Sequence, residues 1–158
     1  MEIKRKYNPD EEENKVYLKE LREELLRFGR RFPSPGGGSY YLGDDGSPWK
    51  ERSRETWITS RMAHVYSIGA MLGYEGARSL AEAAISGLLG ELKDKENGGW
   101  YAGLTAENEV LSGKQCYAHA FVILAATSGV LAKCAGAQEL LEEALAVYDL
   151  RFWNEEEG

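Results

Sequence analysis

Two stretches of helical length, about Trp57 to Leu72 (WITSRMAHVYSIGAML) and Cys116 to Ala132 (CYAHAFVILAATSGVLA), carry almost no charge. The first has only Arg61 and His64 to interrupt it, and the second has no charged residue. A helix that is apolar on every side must be buried on every side. Each is followed by a helix of the opposite kind. Ala77 to Lys93 sets Leu80, Ala84, Leu88 and Leu92 on one stripe, and Ala137 to Leu150 does the same with Leu140, Ala144 and Val147. A leading segment, about residues 16–32, repeats the one-sided pattern with Leu18, Leu21, Leu25, Phe28 and Phe32. The expected fold is therefore all-α, with buried inner helices alternating with amphipathic outer ones.

The connections repeat as well. GGGSYYLGDDGSP (36–48) and NGGWYAGLTAENE (97–109) each have paired glycines, an aromatic pair and polar turn residues, and Asp45-Gly46 suits a tight hairpin. Overlaying Gly37-Gly38 on Gly98-Gly99 gives an offset of 61, and overlaying Leu72-Gly73 on Ser128-Gly129 gives 56. The unit is hairpin loop, inner helix, outer helix, at about 36–96 and 97–157, and one such unit cannot bury its own inner helix. The tail from Phe152 to Gly158 aligns with Leu92 to Gly98, so the chain stops where a third hairpin loop is due. The expectation is the N-terminal part of a longer barrel, or a protomer that completes its core by association.

Composition removes other classes. With 43% apolar and 28% charged residues in 158, one soluble domain is expected, and no apolar run approaches the roughly 18 residues of a membrane span. The N-terminus has no apolar run to act as a secretory signal, which points to the cytoplasm. A net charge of −7 argues against nucleic acid as a partner. Cys116 and Cys134 have no CxxC spacing and no clustered histidines, and both read as buried free thiols, with no metal site and no cofactor expected. Gly36-Gly37-Gly38 lacks the Lys-Ser/Thr of a phosphate loop.

WITSRMAHVYS (57–67), GGWYA (98–102) and KQCYAHAFVILAA (114–126) carry a resemblance to the N-acylglucosamine 2-epimerase superfamily, within it to the mannose isomerase and sulfoquinovose isomerase branch. The resemblance implies the N-terminal segment of an (α/α)6 barrel, a toroid of about six such helical hairpins with a sugar cavity at one end. It also implies cofactor-free aldose–ketose isomerisation, such as mannose to fructose, or C2 epimerisation. A histidine would move a proton through a cis-enediol, with donors or positive charge where the oxyanion develops. In the family these histidines come from later hairpins, so the 158 residues alone are expected to be inactive or nearly so. The substrate is a monosaccharide, and exposed inner-helix surface favours self-association. The rival class is a non-enzymatic helical-repeat module.

Arg61 is the sharpest candidate, because a guanidinium on an apolar helix must be paired or must face a wet cavity. The resemblance gives Arg61 the sugar-oxygen or oxyanion contact and Tyr117 a substrate hydroxyl contact. At the offset of 56, Tyr117 matches Arg61 and should share its depth. Trp57, one turn before Arg61, belongs at the cavity mouth or anchors the hairpin. His64 reaches either the rim of the cavity or a neighbouring Tyr or loop carbonyl. His119 tempts as a base or substrate contact, yet it lies about 200° round the helix from Tyr117 and by default packs against a neighbouring element. Trp100 and Tyr101, with Tyr40 and Tyr41, recur with the paired glycines and are better explained by hairpin packing than by sugar stacking.

Overall fold

The computed structural model describes residue 8 and residues 10–157. The N-terminal segment that was read as lacking a secretory signal lies largely outside them. Five helices, α1 (Glu12–Gly29), α2 (Thr56–Met71), α3 (Ala77–Leu89), α4 (Cys116–Leu131) and α5 (Ala137–Arg151), carry the fold. Short strands join them. β1 (Tyr41–Leu42) pairs antiparallel with β2 (Pro48–Trp49), and β3 (Arg54–Glu55), β4 (Gly103–Leu104) and β5 (Val110–Leu111) form a second antiparallel sheet. α2 and α4 lie side by side, α3 packs behind α2, and α5 packs behind α4. Among the described residues no helix is long and apolar enough to cross a membrane.

The leading helix starts and ends earlier than its apolar stripe suggests. Phe32 falls past its end, in the loop, where it is fully buried and stacks on Tyr66. The Tyr66 hydroxyl donates to the Leu26 carbonyl at 2.7 Å and so ties α1 to α2. In the turn between β1 and β2 only Gly46 takes a positive φ, of 73°. The loop closes through Gly46 N–H to the Gly43 carbonyl and Gly43 N–H to the Ser47 carbonyl, a longer turn than the two-residue one that Asp45-Gly46 suggested.

The repeat register is 60 through the helices, which corrects the offset of 56. α2 begins at Thr56 and α4 at Cys116; α3 begins at Ala77 and α5 at Ala137. Both inner helices end in the same cap: Tyr74 N–H reaches the Gly69 carbonyl and Gly73 N–H that of Ala70, while Cys134 and Lys133 bond Gly129 and Val130 alike. The first cap has Gly73 at φ 77°, and the second has Lys133 at φ 57°. A side chain in the left-handed region costs about 1 kcal/mol. Lys133→Gly is therefore expected to stabilise the fold by about 0.5–1 kcal/mol in urea unfolding, with no change elsewhere.

Gly73 and Gly129 are not equivalent positions of the repeat. Gly129 instead matches Gly69, and the two serve packing. A Cβ on Gly69 would sit 3.1 Å from Ala77, and one on Gly129 would sit 2.8 Å from Ala137, so each marks the close crossing of an inner helix on its outer partner.

Neither inner helix is buried all round. α2 exposes Arg61, Val65, Ile68 and Met71, with Leu72 exposed just past its end, and α4 exposes Cys116, Tyr117, Ala120, Leu124, Thr127 and Leu131. The missing charge marks faces directed away from the outer helices, and these faces stay open in the structure. Cys134 is buried as expected, whereas Cys116, in the first turn of α4, is exposed.

Candidate functional site

The first turns of α2 and α4 bring four side chains onto one open wall. In the register of 60, Trp57 corresponds to Tyr117, and Arg61 to Phe121. The Trp57 and Tyr117 rings lie 6.1 Å apart, and Tyr117 meets Phe121 edge-on at 4.9 Å. The Arg61 guanidinium lies 5.0 Å from the Trp57 ring and 4.9 Å from the Phe121 ring. Two aromatic rings thus lie within cation–π range of the guanidinium, an arrangement worth about 0.5–2 kcal/mol. Arg61 is exposed, and among the described residues it makes no ion pair and no hydrogen bond. A buried ion pair does not explain it. Its five N–H donors have no acceptor among the described residues.

Trp57 is itself fixed. Its Nε1–H donates to Glu55 Oε2 at 2.5 Å, and the same oxygen accepts the Tyr41 hydroxyl at 2.7 Å. Burial and the neighbouring carboxylate push the Tyr41 phenol up to about 12. Sequence reasoning found neither Phe121 nor Glu55. The correct register would have shown Phe121 as the partner of Arg61, but nothing in the spacing marks Glu55.

The two histidines are engaged elsewhere. His119 is 1% exposed, and Nε2 accepts the Trp100 N–H at 3.1 Å, which places the ring proton on Nδ1, donating to the Gln115 carbonyl at 2.8 Å. It meets the Trp100 ring edge-on. Its counterpart in the first repeat is Thr59, whose hydroxyl accepts the Ser39 N–H and donates to the Glu55 carbonyl. His119 therefore pins the second hairpin loop to α4, the packing role expected of it by default. His64 Nδ1 lies 2.6 Å from Ser128 Oγ. Because Ser128 donates to the Leu124 carbonyl, His64 is the donor, and its role is to link α2 to α4. Burial lowers both histidine pKa values and keeps the rings neutral.

The loop aromatics also pack. Trp100 is 1% exposed and donates from Nε1 to the Leu88 carbonyl at 2.7 Å. Beside it, Asp94 accepts Lys114 Nζ at 2.6 Å and the N–H groups of Glu96 and Asn97. Lys114 and these donors hold its carboxyl well below the usual carboxylate range. A folded-state pKa below the unfolded value gives stability that is present above about pH 4 and lost as the pH falls through the folded value. Asp94→Asn is expected to flatten that acid limb of an unfolding-versus-pH curve.

Among the described residues no group of three or more His, Cys, Asp and Glu side chains is placed to hold a metal ion. The wall can therefore offer a planar cation with free donors, a phenol and apolar ring faces. That set suits a polyhydroxylated ligand, with oxygens on the guanidinium and C–H faces on the rings.

An alternating two-layer array of this kind, with a polar wall on its inner helices, is a section of an (α/α)6 barrel. Solved structures agree. A D-mannose isomerase superposes with a TM-score of 0.79 at 21% identity, covering 90% of this chain and 37% of that one. A cellobiose 2-epimerase from Bacillus thermoamylovorans B4167 gives 0.74 at 23%, covering 90% and 39%.

In sequence, residues 37–158 match the N-acylglucosamine 2-epimerase (GlcNAc 2-epimerase) family, and the chain belongs to it. It is 38% identical over 146 residues to a D-mannose isomerase of Thermobifida fusca, and 41% over 103 residues to one of Pseudomonas cannabina pv. alisalensis. Those alignments cover 92% and 65% of this chain, but 36% and 25% of the relatives' lengths.

Proposed function

We propose that this chain supplies one wall of the sugar cavity of an aldose–ketose isomerase or C2-epimerase, with D-mannose, the sugar in the names of its relatives, as the favoured substrate. The carrying observation is the Arg61 guanidinium, unpaired by any described residue and clasped by Trp57 and Phe121 beside Tyr117. Arg61 binds a sugar oxygen and opposes charge developing on it during enolisation, Tyr117 contacts a hydroxyl, and Trp57 covers a C–H face. The proton between C1 and C2 is moved by histidines that this chain does not contain, since His64 and His119 are committed to Ser128 and Trp100. The wall binds and polarises; it does not itself transfer the proton.

The open side of α4 is the seat for another hairpin unit, whether from further chain or from a second copy. On α2, the equivalent side bonds the second hairpin through Thr56, to the Tyr101 carbonyl, and bonds α4 through His64. On α4 the matching positions, Cys116 and Leu124, are bare. The rival reading, a repeat module without enzymatic function, has no comparable support among the relatives.

The test is hydrogen exchange at C2 of D-mannose in D2O, followed by proton NMR. The 158-residue chain alone is expected to bind mannose at millimolar concentration without deuterium uptake or fructose formation. Deuterium at C2 would overturn the assignment of proton transfer to residues outside this chain, and absence of binding would favour the module.

A further inference from the structure

Glu55 is the acidic side chain bonded to the aromatic wall, and the wall chemistry above leaves it unused. It precedes α2, half-buried, with an extended backbone at φ −95° and ψ 145°. Its main chain is fixed by pairing with Gly103 across the β3–β4 ladder. One carboxylate oxygen takes both the Trp57 indole N–H, at 2.5 Å, and the Tyr41 hydroxyl, at 2.7 Å; the other lies 3.4 Å from Ser53 Oγ. Tyr41 is in turn covered by Arg52, whose guanidinium lies 4.3 Å from its ring and 5.4 Å from that of Trp49.

A side chain with two rotatable bonds at the second position of a helix is otherwise free to turn toward solvent. A charge-assisted bond to Nε1 removes that freedom and selects one ring plane. That plane is the one on which Arg61 rests and against which Tyr117 packs. We infer that Glu55 is a positioning residue for the sugar-binding wall: it sets the Trp57 ring, and through it the Arg61 guanidinium, from an anchor in the first hairpin. The functional half of this inference rests on the sugar-wall reading proposed above, whereas the structural half does not.

The effect is read in two ways on the full chain. In a 1H–15N spectrum the Trp57 indole signal, identified by its loss in Trp57→Phe, is expected downfield of an unbonded indole and to move upfield in Glu55→Gln. Glu55→Asp, whose shorter arm fails to reach Nε1, should do the same. Tyr41→Phe should shift the signal less, because the indole bond survives. Mannose affinity should fall about threefold to tenfold in Glu55→Gln, with an unchanged thermal midpoint. An indole signal that does not move in Glu55→Gln would overturn the inference outright. If the signal moves but the native chain binds no mannose, the sugar-wall reading fails while the Glu55–Trp57 coupling stands. If the signal moves and mannose affinity is unaltered, Trp57 is oriented by Glu55 to no consequence for the ligand, and the positioning role is refuted.

Discussion

Replacing Arg54 with methionine is expected to cost about 3–4 kcal/mol, the largest loss from any single substitution considered for this chain. Arg54 is 2% exposed in strand β3, and among the described residues it makes no ion pair. Its Nη1 lies 2.6 Å from the carbonyls of both Gly36 and Gly37 and 3.1 Å from Ser34 Oγ, while Nη2 bonds Asn108 Oδ1. One guanidinium thus gathers both hairpin loops at the start of α2. Methionine reproduces only the aliphatic stem of the side chain and leaves those acceptors without partners. Lysine, with three donors and no fork, should recover about half. At about 2–4 °C per kcal/mol for a chain of this size, Arg54→Met lowers the thermal midpoint by about 6–16 °C. A shift under 2 °C would mean that water satisfies the loop carbonyls and the clamp is dispensable.

The second large effect is at His119. Replacement by alanine removes the acceptor of the buried Trp100 N–H and the ring that packs between Trp100 and Phe152, 5.6 and 4.7 Å away centre to centre. An orphaned buried N–H costs about 1–3 kcal/mol, and the emptied ring volume adds to it, for about 3 kcal/mol in all. The histidine also imposes a pH dependence. Burial is the main cause of its lowered pKa, so the unfolded chain takes up a proton more readily. Stability is therefore full above about pH 6.5 and declines as the pH falls from there toward the folded value. His119→Ala should reduce this slope, leaving the part that the lowered pKa of His64 contributes, as well as lowering the plateau in urea titrations between pH 5 and 8. Loss of sugar binding without loss of stability would return His119 to the binding site.

The alternation of helices was legible because charge is an almost binary signal: a helix without it has no wholly solvated face. The same signal misled at Val65, Leu72 and Leu131, which are apolar yet exposed, because it does not separate a face packed on a neighbour from one left open. The register was misread for a related reason. Glycine serves the positive φ at Gly73 and close packing at Gly129, and the letter is identical in both uses. Arg61 stood out by contrast with its surroundings. Arg54 and Glu55 did not, because they lie in a charged stretch, ERSRE, where burial of two members follows only from the strand pairing with Gly103 and Leu104.

The wall itself is most directly tested by saturation-transfer difference NMR of D-mannose with the native chain and with Arg61→Ala. A sugar held by the guanidinium, with its C–H face on Trp57 and Tyr117, predicts saturation of ring protons by the native chain. It predicts that this saturation is lost, about tenfold or more, in the variant, while the helical circular dichroism is unchanged. Equal saturation of mannose by both proteins would contradict the account and remove Arg61 from the site.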